Sequence, residues 1–457
     1  MFQNKLFFIY ELKEKSLQYG FFRLLFVLYT LGKTFWFRSL KRDQFRALCA
    51  LLRFERDISS VDEKAVPKIV YYFQRKIMGV DRKAGNNVLL SYLSSDDSRM
   101  YKKRYISFDN EDLLRIRQPK KSADPERQGD LLILKPYMDE HEKGVLFLQF
   151  DDTVYKFVSI YDVEQVASKY RIVIEPSAWG YQNPIFHLLL DIDTDVIIEA
   201  QYKQDFDYIN RVNSNLSAIR LGAGDWVDPD LFKASDRENK EYDLVMIANW
   251  AKWKRHKLLF KSLRMIRDDI GKIALVGYPI DGITLEDMRR LSSKYGVVDL
   301  IEYFEHIPPE MVSDIVRRSK MSVLLSKKEG ANRGIYECFF SNVPVILTSR
   351  NIGVNRDHIN QQTGMVVDDD ILPEKILFMI KNYTQFTPEK WAIENTGYAN
   401  SSRKLNGFIR DIAKSKGERW TKDIFMKKNV PVAMYTKKSD RLEADKAMNH
   451  LALFLRK

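Results

Sequence analysis

Two acids eight positions apart, Glu329 and Glu337, frame the segment Ser326-Lys327-Lys328-Glu329-Gly330-Ala331-Asn332-Arg333-Gly334-Ile335-Tyr336-Glu337. A carboxylate can accept two hydrogen bonds from a diol. One of these acids could therefore meet a sugar ring while the other meets ribose hydroxyls. Gly330 and Gly334 would let the backbone approach a ligand closely. The hydrophobic pattern places the segment between a buried strand at 321–325 and a helix at 334–340. The N–H groups at the start of such a helix can hold an anion.

The elements around this segment repeat a simple rhythm. Strands are expected at 243–248, 272–277, 299–303, 321–325 and 343–347, and helices at 257–267, 284–294, 309–318 and 334–340. An earlier unit has strands at 144–150, 171–175 and 195–199, with helices at 158–169, 184–190 and 205–212. Strands alternating with helices at this spacing make parallel, doubly wound sheets. Ligands then bind outside the carboxyl ends of the strands, so Asp151, Asp152 and Glu175 are expected to line a crevice. Further strands are expected at 68–73 and 87–92, and a charged loop at 118–129.

The Glu-x7-Glu segment, followed by Asn342-Val343-Pro344-Val345-Ile346, resembles the signature of retaining glycosyltransferases of family four, which have the GT-B fold. Other pieces resemble that family in the same order. They are the interdomain segment at 221–232, the lysine turn Lys254-Arg255-His256, the strand end Val276-Gly277, and the closing motifs at 351–354 and 363–367. The resemblance spans about residues 215 to 385. It implies an α/β protein of two Rossmann-like domains with a cleft between them, and a nucleoside diphosphate sugar as donor with no other cofactor and no metal. It also implies roles. Lys254 would neutralise the departing diphosphate, and Glu329 would contact the donor hexose. Backbone N–H groups from Ala331 through Asn332 and Arg333 to Gly334 would support sugar or phosphate, beside Gly330 and Gly277, and Glu337 would bind ribose. Attack from the same face as the leaving group, without a protein nucleophile, would retain the anomeric configuration.

The sequence also departs from the pattern. Asn249 stands where the family commonly has an arginine, and Lys252, Arg255 or Arg333 could supply the cation instead. Ala331 stands where an aromatic is frequent. The glycine-rich loop expected near the start of the first domain has only the candidate substitutes His141-Glu142-Lys143-Gly144 and Asp151-Asp152. Glu175, Ser177, Trp179 and Tyr181 would suit either a sugar acceptor or loop anchoring. The segments 191–195 and 368–370 read as turns, the latter solvated, and His187 as a packed helix residue.

The chain has 457 residues, enough for two α/β domains. It divides into a basic, aromatic helical extension at 1–60, an acceptor domain at 61–225, a donor domain at 226–420 and a basic tail at 421–457 that packs back across the domains. Lys and Arg number 74 against 62 Asp and Glu, a net charge of +12 that favours an anionic partner. The cations are spread out and no nucleic-acid module is visible, so the partners expected are a nucleotide sugar and a glycan or polyprenyl-linked acceptor. The aromatics and cations at 21–42 fit either an anionic membrane surface or helices packed on the domain behind them. Cys49 and Cys338 are the only cysteines, which suits a reducing cytoplasm. No signal peptide and no spanning stretch is read, so the expected location is cytoplasmic, peripheral on the inner membrane face. The reading is a glycosyltransferase of bacterial surface polysaccharide synthesis. The alternatives are a non-transferase enzyme on the same fold, such as a nucleotide-sugar epimerase, or a catalytically dead glycan-binding subunit.

Overall fold

The computed structural model describes residues 20–42, 131–176, 192–211, 215–232, 240–330, 332–430 and 432–456, with single positions at 47, 50, 51, 54, 72, 189 and 234. The strands expected at 68–73 and 87–92, the loop at 118–129 and nearly all of the helix at 184–190 lie outside these residues. So do Ser177, Trp179, Tyr181, His187 and Ala331.

Helix α1 (Gly20–Phe35) opens the described chain and ends in a π turn, Trp36–Leu40. Strands β1 (Leu131–Lys135) and β2 (Gly144–Gln149) are antiparallel, and helices α2 (Asp151–Ile160) and α3 (Val163–Lys169) follow. The helix read from 158 therefore starts at once after β2 and is broken at Tyr161-Asp162, where Asp162 caps α3 by accepting from Gln165 N–H at 3.3 Å. Then come β3 (Tyr170–Glu175), β4 (Val196–Glu199), α4 (Lys203–Arg211) and β5 (Leu216–Ile219). The sheet order is β1-β2-β3-β4-β5, parallel from β2 onward. Its central strands are buried throughout and largely apolar, because a parallel sheet is covered on both faces.

A 3₁₀ turn at Ala223–Trp226 leads to the second unit. It runs β6 (Tyr242–Ile247), α5 (His256–Met265), β7 (Ile273–Gly277), α6 (Leu285–Lys294), β8 (Ile301–Glu305), α7 (Pro309–Arg317), β9 (Ser319–Leu324), α8 (Arg333–Phe340), β10 (Val345–Thr348) and β11 (Gly364–Val367). The strand read at 299–303 is shifted by two residues, since Val298–Leu300 forms a 3₁₀ turn before β8. All five pairings are parallel in the order β11-β10-β9-β6-β7-β8. The chain moves outward from β6 through β8, then returns to lay β9 on the other side of β6. The direction of winding thus reverses between β6 and β9. The loops that leave their carboxyl ends are forced apart there and open a crevice.

Helices α9 (Leu372–Asn382) and α10 (Pro388–Asn395) complete this unit. Helix α11 (Tyr398–Ser415), the hairpin β12 (Lys427–Asn429) and β13 (Ala433–Tyr435), and α12 (Lys438–Leu451) pack elsewhere. Leu405, Ile409, Phe425, Tyr435 and Leu451 join the hydrophobic core of the first sheet. Phe26 of α1 also enters that core, with its ring 5.3 Å from Phe54, while Leu24, Leu28, Phe35, Trp36 and Leu40 are exposed. No helix among the described residues is long and apolar enough to cross a membrane.

Candidate functional site

Lys254 and Glu329 meet across the crevice between β6 and β9. Lys254 Nζ lies 2.6 Å from Glu329 Oε1, and both side chains are nearly buried. After β6 the chain packs Trp250 and Ala251 inward, then turns through Lys252–Lys254. Arg255 ends that turn in the left-handed region at φ 64° and starts α5. A non-glycine residue in this conformation needs outside support. Its guanidinium grips Asp369 with bonds of 2.6 and 3.0 Å and donates to the Leu325 carbonyl at 3.0 Å. Asp369 also accepts from Thr348 Oγ1 at 2.9 Å. Burial works against its charge, but Arg255 and Thr348 together hold its carboxyl below the ordinary value.

These bonds correct one reading. Asp369 is not part of a merely solvated turn; it anchors the lysine turn through Arg255.

Glu329 is placed by a second segment. Its N–H donates to the Ile352 carbonyl, and Ile352 N–H donates to the Lys327 carbonyl, both at 2.9 Å. Ser326 Oγ donates to Glu329 Oε1. Buried Asn351 donates to the Ser326 carbonyl at 2.7 Å and accepts from Val354 N–H at 3.2 Å.

Helix α8 starts at the far side of this loop. Asn332 caps it, its side-chain oxygen accepting from Ile335 N–H at 3.2 Å. Arg333 donates twice to Glu337 Oε1, at 2.7 and 3.1 Å, and Glu337 is 3% exposed. The spacing of four brings the two onto one helix face. Gly334 sits against the Asn332 side chain and Ile247, so β6 and α8 approach closely at the mouth of the crevice. His256, buried at the start of α5, has its imidazole pushed down to about 3 by burial, with the Lys254 charge adding to the effect. Gly277 is buried one strand further out. A methyl group there would collide with the Ala248 carbonyl and come within 2.7 Å of the Trp250 indole nitrogen, so packing alone requires a glycine.

The first sheet behaves differently from expectation. Glu175 does not line an open crevice. Gln149 donates to it at 2.7 Å, and Lys427 and Asn429 of the C-terminal hairpin donate to it at 3.2 and 3.0 Å. All four are nearly inaccessible. Lys427 also lies 3.7 Å over the Trp226 ring, and the indole N–H donates to Glu199 at 3.0 Å. Burial lowers the Lys427 ammonium pKa, against the pull of Glu175 and Glu199. Burial pushes the Glu199 carboxyl up to about 8 despite Lys427, and Glu175 adds to the rise. The hairpin thus caps the ends of β2 and β3 with its own polar groups.

The substitute loop at 141–144 fails for a geometric reason. It precedes β2 and sits at the opposite end of the sheet, where Glu142 pairs with Lys135 at 2.6 Å and accepts from Thr421 N–H at 2.7 Å. Asp151 and Asp152 do follow the carboxyl end of β2, as the opening residues of α2.

The arrangement pairs a cation with one acid at the reversal point of a parallel sheet, and the helix that follows the same loop carries a second acid paired with Arg333. It can offset the charge of a phosphate group and accept hydrogen bonds from sugar hydroxyls. Residues 227–391 match the family described as glycosyl transferases group 1. No curated protein matches the chain. Among solved structures, a glycosyltransferase from Rickettsia africae ESF-5 is similar at 16% identity over 57% of this chain and 74% of its own, with a TM-score of 0.46. Sucrose-phosphate synthase from Thermosynechococcus elongatus is 14% identical over 59% and 74%, with a TM-score of 0.46. Anabaena HepE in complex with UDP is 11% identical over 58% and 78%, with a TM-score of 0.47.

Proposed function

We propose that this chain, a glycosyltransferase on a GT-B fold, moves a hexose from a nucleoside diphosphate sugar to a glycan or polyprenyl-linked acceptor with retention at the anomeric carbon. The observation that carries the reading is the Lys254–Glu329 contact at the reversal point of the second sheet. Before donor binds, each residue satisfies the other's charge. A diphosphate would take over Lys254 and release Glu329 to accept from the hexose hydroxyls. As the glycosidic bond breaks, negative charge grows on the leaving phosphate, and Lys254 offsets it there. Glu337 accepts from the ribose diol, oriented by Arg333. Arg333 is also the cation that stands in for the arginine absent at Asn249.

The acceptor approaches from the first unit, and its hydroxyl oxygen attacks the anomeric carbon of the donor on the face from which the diphosphate leaves, its proton passing to the departing phosphate. The net charge and the exposed Leu24, Leu28, Phe35, Trp36 and Leu40, with Lys41 5.8 Å over the Trp36 ring, support docking on an anionic bilayer. The reading places the enzyme on the cytoplasmic face of the inner membrane, in bacterial surface polysaccharide synthesis.

A thermal-shift screen against UDP, GDP, ADP and dTDP sugars tests the donor site. One nucleotide should stabilise the protein, by about 2.7 kcal/mol at a hundred times its dissociation constant. Glu337→Ala should abolish the shift. No shift with any of the four would refute the reading.

A further inference from the structure

Tyr336 lies between Arg333 and Glu337 in sequence, yet its partners are outside the donor loop. Gln201, which follows β4 in the first unit, donates to the Tyr336 hydroxyl at 2.8 Å and to Asp225 Oδ2 at 2.6 Å. The same hydroxyl meets His358 Nδ1 at 2.7 Å, and His358 Nε2 meets Asn355 Nδ2 at 2.9 Å. Arg220, at the end of the first unit, donates to Asn355 and, at 3.0 Å, to Asp357. Asp225 also accepts from Gly222 N–H and Thr396 Oγ1, both at 3.0 Å, and its carbonyl accepts from Ser401 at 2.6 Å.

Tyr336, Gln201, Asp225 and Asn355 are nearly inaccessible. Gly224 lies so close to the Tyr336 ring that a methyl group there would collide with it, and would come within 2.9 Å of the Asn332 carbonyl. Apolar packing could join the units more cheaply. A buried hydrogen-bonded network instead fixes one geometry, because hydrogen bonds are directional.

We propose that Tyr336 is a positioning residue that ties the orientation of α8 to the first unit. Successive residues on a helix are about 100° apart, so fixing Tyr336 fixes where Arg333 and Glu337 face. The inference rests on the proposed role of those two in holding donor. It predicts that Gln201, which lies in the other unit, controls nucleotide affinity through Tyr336.

The test uses the full chain with Tyr336→Phe, Gln201→Leu and the double substitution. Dissociation constants for UDP, GDP, ADP and dTDP are measured by calorimetry, alongside thermal denaturation without nucleotide. Each single change should weaken the preferred nucleotide roughly tenfold, and the double no further. A residue with a merely structural role would lower the melting temperature and leave affinity unchanged. Affinities within twofold of the unaltered protein, or effects that multiply, would overturn the inference alone. Failure of the unaltered chain to bind any of the four would overturn the donor reading, and this inference with it.

Discussion

Gly353 is packed face-on against the backbone of Glu329. A methyl group on Gly353 would fall inside the van der Waals shell of the Glu329 carbonyl oxygen and would also press on the Gly330 carbonyl. Gly353 has φ +114°, a conformation that side chains rarely adopt. The loop carrying one acid is therefore moulded on the segment after β10, through a contact that only glycine allows.

Gly353→Ala should push the Glu329 loop away from Lys254. Stability should fall by about 2 kcal/mol or more, since left-handed strain and a backbone collision add. Donor turnover should fall at least tenfold. Gly417→Ala is the control. Its φ is +75°, but nothing lies within 4 Å, so it should cost about 1 kcal/mol and leave donor turnover intact. Equal effects on turnover from both changes would count against the moulding role.

The Lys254–Glu329 pair makes a separable prediction for stability and activity. Lys254→Met leaves a nearly buried carboxylate without its cation and should cost roughly 1–3 kcal/mol. Adding Glu329→Gln removes that carboxylate and should restore most of the stability. Transfer should remain about 100- to 1,000-fold down in the single and the double variants alike. Denaturant melts beside steady-state rates check both parts. Recovery of activity in the double variant would mean that the pair is structural.

Much of this was readable in one dimension. The apolar runs that become β6, β7, β9 and β10, and the helices between them, follow from local pattern alone. The β9–α8 loop could be singled out because its acids and glycines are adjacent in sequence. Partners far along the chain were hidden. Nothing local to Glu175 announces that Lys427 and Asn429 will cover it, since more than 250 residues intervene. Asp369 looked like one of three acids in a solvated turn until the parallel pairing of β10 with β11 brought it to Arg255. Tyr336 draws no separate reading from the sequence, because a hydroxyl carries no mark of its partner. The β1 strand was missed for another reason: its antiparallel placement at the sheet edge breaks the βα rhythm.

Arg255 should resist its usual conservative exchange. Its two parallel bonds to Asp369 need a planar fork, which an ammonium lacks. Arg255→Lys should cost about 1–2 kcal/mol and weaken nucleotide binding severalfold, through loosening of the Lys254 turn. Asp369→Asn should do the same, and the two together should do little more than either. Fully additive losses would show that the residues do not act as a pair.

Glu199 should make the protein sensitive to alkali. Its folded value of about 8 stands above the ordinary 4.5, so the native state holds a proton that the unfolded chain has released between those values. Stability from this group is complete below about 4.5, declines as pH rises, and is lost once pH passes about 8. The buried carboxylate then formed faces Glu175 and Asp225, with Lys427 as the opposing charge. Glu199→Gln keeps the shape and an acceptor for the Trp226 indole without a titrating proton. Melting temperatures from pH 5 to pH 9 should therefore fall by several degrees more in the unaltered protein than in the variant. The variant should be the more stable of the two at pH 9. Parallel curves would show that Glu199 is already ionised in the fold. The Lys427 ammonium would then have to balance both acids at the hairpin cap.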